Sequence, residues 1–138
     1  MRGAAQAILF YKKAFGAKEI MRTPGPDGKL GHAEISIGGS RIMLSDEYEL
    51  IAFLCSKARG GTTVHIHLYV KDGDAMAARA IAAGAKINRP IKDQFYGDRT
   101  GSIEDPFGHM WHVATHKGDV SKAELTRRSA EAAKQGDG

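Results

Sequence analysis

The sequence predicts an α+β domain built from two copies of one unit, strand-helix-strand-strand-strand, with the first strand of the first copy absent. Three observations carry this. First, Ala14-Phe15-Gly16-Ala17-Lys18 resembles Ala82-Ala83-Gly84-Ala85-Lys86 at an offset of 68, and the last hairpins of the two halves align at Gly39 and Gly108, an offset of 69. Second, each Gly-Ala-Lys follows a stretch with helical apolar spacing. Third, each precedes short alternating segments separated by glycine-containing turns. A repeat with two copies makes a pseudo-dimer rather than a solenoid.

In the first copy, Ala7, Ile8, Tyr11, Ala14 and Phe15 share one stripe of a helix expected over residues 4–14. Gly16 falls where a left-handed C-terminal cap belongs. A strand over 18–22 precedes the dense turn signal of 23–28, Thr-Pro-Gly-Pro-Asp-Gly. Residues 30–37 alternate, Gly38-Gly39 reads as a two-residue hairpin turn, and 40–45 return. An irregular connection, 46–61, holds Cys55. The second copy opens with a strand over 62–70, then a helix capped by Asp72 or Asp74 and ended at Gly84. Strands follow over 85–89, 99–104 and 109–115, with a loop at 90–97 and a turn at 105–108. Ser121 and Glu124 have capping-box spacing at the head of a C-terminal helix, and 135–138 are expected to be disordered.

The chain thus reads as a single domain over 1–138: a first module (1–45), a linker (46–61), a second module (62–116) and a helical tail (117–138). Subtracting 69 from 62–70 puts the counterpart strand at about −7 to 1. Two explanations are expected for its absence: the chain starts late, or a partner subunit supplies a strand.

Composition excludes several classes. The chain has 138 residues, 42% hydrophobic and 26% charged, ordinary for one globular domain. A single cysteine, Cys55, excludes a disulfide within this sequence and any multi-cysteine metal motif. The net charge is +4, but basic residues are scattered among acids, so no nucleic acid is expected as partner. No apolar run approaches the ~20 residues of a membrane helix, and no signal-peptide pattern opens the chain. No membrane partner and a cytoplasmic location are therefore expected. Cys55 has no assigned base, and no Ser sits in a G-x-S-x-G elbow, so nucleophilic catalysis is not expected.

Local motifs then carry a resemblance. Residues 8–17, Ile-Leu-Phe-Tyr-Lys-Lys-Ala-Phe-Gly-Ala, look like a first-helix signature. The run 67–72, His-Leu-Tyr-Val-Lys-Asp, leads into the second helix. Tyr96-Gly97-Asp98-Arg99, Ile103-Glu104-Asp105-Pro106-Phe107-Gly108-His109 and Ala114-Thr115-His116 complete the pattern. Together these resemble the vicinal-oxygen-chelate superfamily of glyoxalase I, bleomycin-resistance proteins and extradiol dioxygenases, in its PhnB-like branch. The resemblance implies a curved, mixed, eight-stranded sheet around a cavity with helices outside. It also implies a homodimer and, in metal-binding members, one ligand from each of four central strands.

Strand parity then assigns cavity residues. Val64, Ile66, Leu68 and Val70 form the apolar face of 62–70, leaving His65, His67 and Tyr69 on the other. Trp111 and Val113 face a helix, leaving Met110, His112 and Ala114. His65 and His112 fall on family ligand positions, and such a pair suits Zn²⁺, Ni²⁺ or Fe²⁺. Met43 occupies a third position, where a thioether is a poor ligand for these ions, and the fourth lies on the absent strand. Glu34 is the candidate catalytic base or extra ligand. Met43, His67, Tyr69, Phe95, Tyr96 and Met110 are expected to line the cavity. His109 reads as a turn or surface residue, and Asp98 and Arg99 either pair or contact ligand. Two functions compete. The first is small-molecule binding in the cavity, as in drug or metabolite sequestration. The second is a metal-dependent lyase, isomerase or dioxygenase acting on vicinal oxygens.

Overall fold

The computed structural model describes residues 1–135. It contains helices α1 (Ala4–Phe15), α2 (Gly73–Ala82) and α3 (Lys122–Lys134). The strands are β1 (Lys18–Pro24), β2 (Leu30–Ile37), β3 (Ser40–Leu44), β4 (His65–Tyr69), β5 (Lys86–Asp93), β6 (Asp98–Glu104) and β7 (Met110–His116). The class is α+β. The seven strands form two sheets, ordered β1-β2-β3 and β4-β7-β6-β5, and the two are not hydrogen-bonded to each other.

Local chemistry explains the elements. Gly16 ends α1 at φ 65°, a left-handed conformation glycine adopts without Cβ strain. Asp72 starts α2, its side chain accepting from Ala75 N at 3.0 Å. Ser121 does the same for α3 through Glu124 N at 3.2 Å. That tail helix buries no residue, yet Arg128 Nη1 donates to Phe95 O at 3.0 Å and ties it to the β5–β6 loop. The disorder expected at 135–138 lies, from 136 onward, outside the described residues.

One core joins the parts. Ile8, Phe10, Tyr11, Ala14 and Phe15 of α1 pack with Ala33, Ile35, Ile37 and Leu44 of one sheet and Ile103, Trp111 and Val113 of the other. Phe15 lies on Trp111 with ring centroids 4.5 Å apart. Both sheets therefore turn their apolar faces to the helices, and their other faces are free to carry a site.

The repeat is visible in hydrogen bonds. Met1 N donates to Ser45 O at 2.6 Å, and Val70 N to Ala114 O at 2.8 Å, the same bond moved by 69 positions. Ala4 N donates to Asp46 Oδ1 at 2.9 Å, and Gly73 N to the Thr115 hydroxyl at 2.8 Å, again 69 apart. In both halves, a side chain at or just past the end of the last strand accepts from the first turn of the helix.

Several boundaries differ from expectation: β1 runs to Pro24, into the expected turn, and two later strands differ by more. The strand expected over 62–70 is confined to His65–Tyr69; Val64 lies outside it and is exposed. The loop expected at 90–97 begins later, because β5 runs through Pro90 to Asp93. Proline lacks a ladder donor but is tolerated on an edge strand, and β5 is the edge of its sheet.

Candidate functional site: a ring-lined sheet face

On the face of β4 and β7 turned away from the helices, four rings follow one another. His65 and His112 have centroids 5.0 Å apart, His112 and His67 5.2 Å, and His67 and Tyr69 5.1 Å. The His67 and His112 rings are parallel to within 4°. Parallel pairing explains the row: His67 stands opposite His112, and Tyr69 opposite the small Ala114. His65 Nδ1 and His112 Nε2 share a hydrogen bond of 2.8 Å. The platform is open to solvent; Tyr69 is 60% exposed.

Behind Tyr69 lies a polar chain. The Tyr69 hydroxyl donates to Asp98 Oδ2 at 2.8 Å. Asp98 Oδ1 meets His116 Nδ1, and His116 Nε2 meets Asp119 Oδ1, each at 2.8 Å. Burial works to raise the Asp98 pKa, but hydrogen bonds from His116 and Tyr69 outweigh it and hold the carboxyl below its ordinary value. The Asp98 bond, then that to Asp119, raises the His116 pKa. His112 is shifted the other way, lowered first by burial and then by His67, His65 and Arg89.

The expected residues are partly gathered. His65, His67, His112 and Tyr69 form the platform, and Met110 stands opposite His65 on the same face. Tyr96 borders it, feeling the charges of both Asp98 and Arg89. Phe95 packs edge-on against Tyr96 at 5.2 Å, while its carbonyl holds Arg128 of α3. Glu34 and Met43 sit on the other sheet, paired with each other across β2 and β3. Glu34 is nearly buried, and its carboxylate meets His32 Nε2 at 3.1 Å and Arg41 Nη1 at 3.4 Å. No hydrogen bond or ion pair among the described residues links Glu34 to His65, His67 or His112. Met43 is 64% exposed.

Asp98 and Arg99 do not pair. Successive strand residues point to opposite faces, so Arg99 reaches Asp74 of α2 at 2.8 Å while Asp98 joins Tyr69. His109 Nδ1 lies 3.6 Å from Asp105 Oδ2 beside its turn. Cys55 is buried, its backbone N–H donating to Glu47 at 3.0 Å. Sequence reasoning missed His116, Asp119 and Arg89 as companions of the site. The usable signal was register, since Asp98 and His116 stand opposite each other at the ends of β6 and β7.

The imidazoles fit a divalent ion only in part. His65 and His112 offer two nitrogen donors, but among the described residues no three His, Cys, Asp or Glu side chains converge as a ligand set. A zinc site needs three or four protein ligands.

Comparisons with known proteins agree with this architecture. The family model described as Glyoxalase/Bleomycin resistance protein/Dioxygenase superfamily matches residues 2–113. An uncharacterized protein of Mycobacterium tuberculosis (strain ATCC 25618 / H37Rv) is 44% identical over 138 residues, covering 98% of this chain and 79% of its own. The X-ray structure of an Arabidopsis thaliana gene product superposes with TM-score 0.66 at 30% identity, covering 81% of this chain and 88% of that one. The crystal structure of TioX from Micromonospora sp. ML1 gives TM-score 0.63 at 29% identity, over 86% and 90%.

Proposed function

The chain belongs to the Glyoxalase/Bleomycin resistance protein/Dioxygenase superfamily, and on that premise we propose that it binds a small organic molecule on the ring-lined face of β4 and β7. The observation that carries this is the unbroken run His65–His112–His67–Tyr69, each ring about one stacking distance from the next, with His65, His67 and Tyr69 exposed and His112 half-buried between them. A folded chain has little packing use for a row of adjacent rings of which three are exposed to water. A flat ligand laid on them would exchange water for ring contacts at both surfaces. Sequestration of a drug or metabolite is the simplest role for such a platform. Motifs 8–17 and 67–72 favour the PhnB-like branch.

The test is binding of an aromatic fragment set followed by NMR of the His and Tyr69 side chains. Ligands are expected to shift these resonances, and Tyr69→Ala and His67→Ala are expected to weaken binding about tenfold. Shifts confined to residues off this face would overturn the reading.

A second reading, a metal-dependent lyase, isomerase or dioxygenase, rests on the 2.8 Å pair of His65 and His112. Metal analysis of protein purified without chelator decides it: a near-stoichiometric divalent ion, lost in His65→Ala, would favour the enzyme. We further propose a homodimer, since among the described residues the outer edges of β3 and β4 carry no strand neighbour.

A further inference from the structure

Resting on the small-molecule reading above, we propose that this face takes a planar aromatic anion, with its rings over His67 and His112 and its anionic group at Arg89. The ladder sets the geometry. His67 stands opposite His112, His112 opposite Ser102, and Ser102 opposite Arg89, one row across β4, β7, β6 and β5. Opposed residues share a face. Between rings and guanidinium the row holds Ser102, which is buried under its neighbours and whose hydroxyl accepts from Asn88 at 2.9 Å, so a ligand would lie over Asn88 and Ser102 rather than beside a large side chain. Two strand spacings separate His112 from Arg89, about 10 Å between backbones. That length suits a fused bicyclic ring acid better than a single ring.

The sign of the ligand's charge follows from Arg89. Strand β5 sets Arg89 opposite Ser102, on the row that carries His112 and His67. The carboxylate nearest the rings is otherwise engaged. Asp98 is held by Tyr69 and His116, and Glu104 lies a further two residues along β6 from Ser102, at the far end of the strand. Arg22, Arg99 and Arg127 each have carboxylate partners, whereas Arg89 has none among the described residues. Its charge is felt at both His112 and Tyr96, which places it beside the platform. A guanidinium offers a planar fork of donors that matches a carboxylate. A cationic aromatic would instead meet Arg89 without compensation.

The probes are 2-naphthoate, its neutral shape-match 2-naphthamide, and (2-naphthyl)methylamine, titrated at low salt by calorimetry and side-chain NMR. Naphthoate is expected to bind about tenfold more tightly than the amide, with the amine weakest. Arg89→Gln is expected to bring naphthoate down to the affinity of the amide, while Arg41→Gln on the other sheet keeps the preference. Equal binding of acid and amide, or tighter binding of the amine, would overturn the anion inference and leave the platform reading intact. A preference that survives Arg89→Gln would overturn the role of Arg89. Failure of all three probes to shift Tyr69 or the imidazoles would remove both.

Discussion

Asp105 concentrates more stabilising contacts than any site residue. Its carboxylate accepts from Tyr11 Oη at 2.6 Å, Trp111 Nε1 at 2.9 Å, and the backbone N–H groups of Phe107 and His109 at 2.8 and 3.0 Å. It therefore pins α1, the β6–β7 turn and β7 together. Asp105→Ala leaves buried donors without acceptors, at about 1–3 kcal/mol each, so a loss of at least about 3 kcal/mol is expected in urea unfolding. Burial works to raise this carboxyl's pKa, but its hydrogen bonds prevail and depress it. A depressed carboxyl contributes stability that is present above its unfolded value, near 3.9, and lost as pH falls through the lower folded value. Unfolding followed from pH 5 down to pH 2 should show this loss, and Asp105→Asn should flatten it. On the ring face, the shifts of His116 and His112 oppose each other. In a proton NMR titration His116 should hold its proton above the ordinary imidazole value of about 6.5 and His112 should lose its own below it. Coincident titrations would contradict the Asp98–His116–Asp119 chain.

At the scale of elements, the repeat reads as shared capping chemistry. Asp46 accepts from Gly3, Ala4 and Leu30, so it caps α1 and fixes β2 at once. Thr115 gives its α2 counterpart, Gly73, one bond. Asp46→Ala should therefore lower stability by about 1–2 kcal/mol and by more than Thr115→Ala, compared by thermal melts. Strand β6 meets β5 so closely at Gly101 that a Cβ there would lie 2.6 Å from Arg89 O and 2.7 Å from Ile91 N. Backbone cannot yield as a side-chain tip does, so Gly101→Ala should cost roughly 1–3 kcal/mol and displace β5, the strand that carries Arg89. Most strands and caps were legible in the sequence because their signals are local: period-2 alternation, Gly16 after an apolar stripe, Asp72 before one. The same parity placed His65, His67, Tyr69 and His112 on one face. What escaped depends on partners chosen across strands. The extension of β5 through Pro90 is allowed only because β5 is an edge, and the Asp98–His116 bond arises from the β6–β7 register. Neither leaves a mark in a single strand's pattern.

At the scale of the whole molecule, Glu34 and Met43 share a face of the first sheet and His65, His67 and His112 share a face of the second, and no hydrogen bond or ion pair among the described residues joins the two groups. Both sheets also end in open edges, at β3 and β4, whose unpaired backbone groups favour strand pairing. Between those strands in sequence, a turn closed by mutual hydrogen bonds of Tyr48 and Phe53 holds Leu50 wholly exposed and Ile51 75% exposed, with Phe53 at 55%. Burying three such side chains is worth roughly 1.5–3 kcal/mol each, and a twofold dimer counts the set twice. That total is comparable to the 4–15 kcal/mol or more lost on association, so this turn is enough to decide the oligomeric state. Sedimentation at micromolar concentration should show a dimer. Leu50→Ser with Ile51→Ser should shift it toward monomer while leaving the melting temperature of dilute protein unchanged, because neither side chain packs in the monomer's core. A monomer in the unsubstituted chain across that range would remove the dimer, and with it the means of covering the open edges.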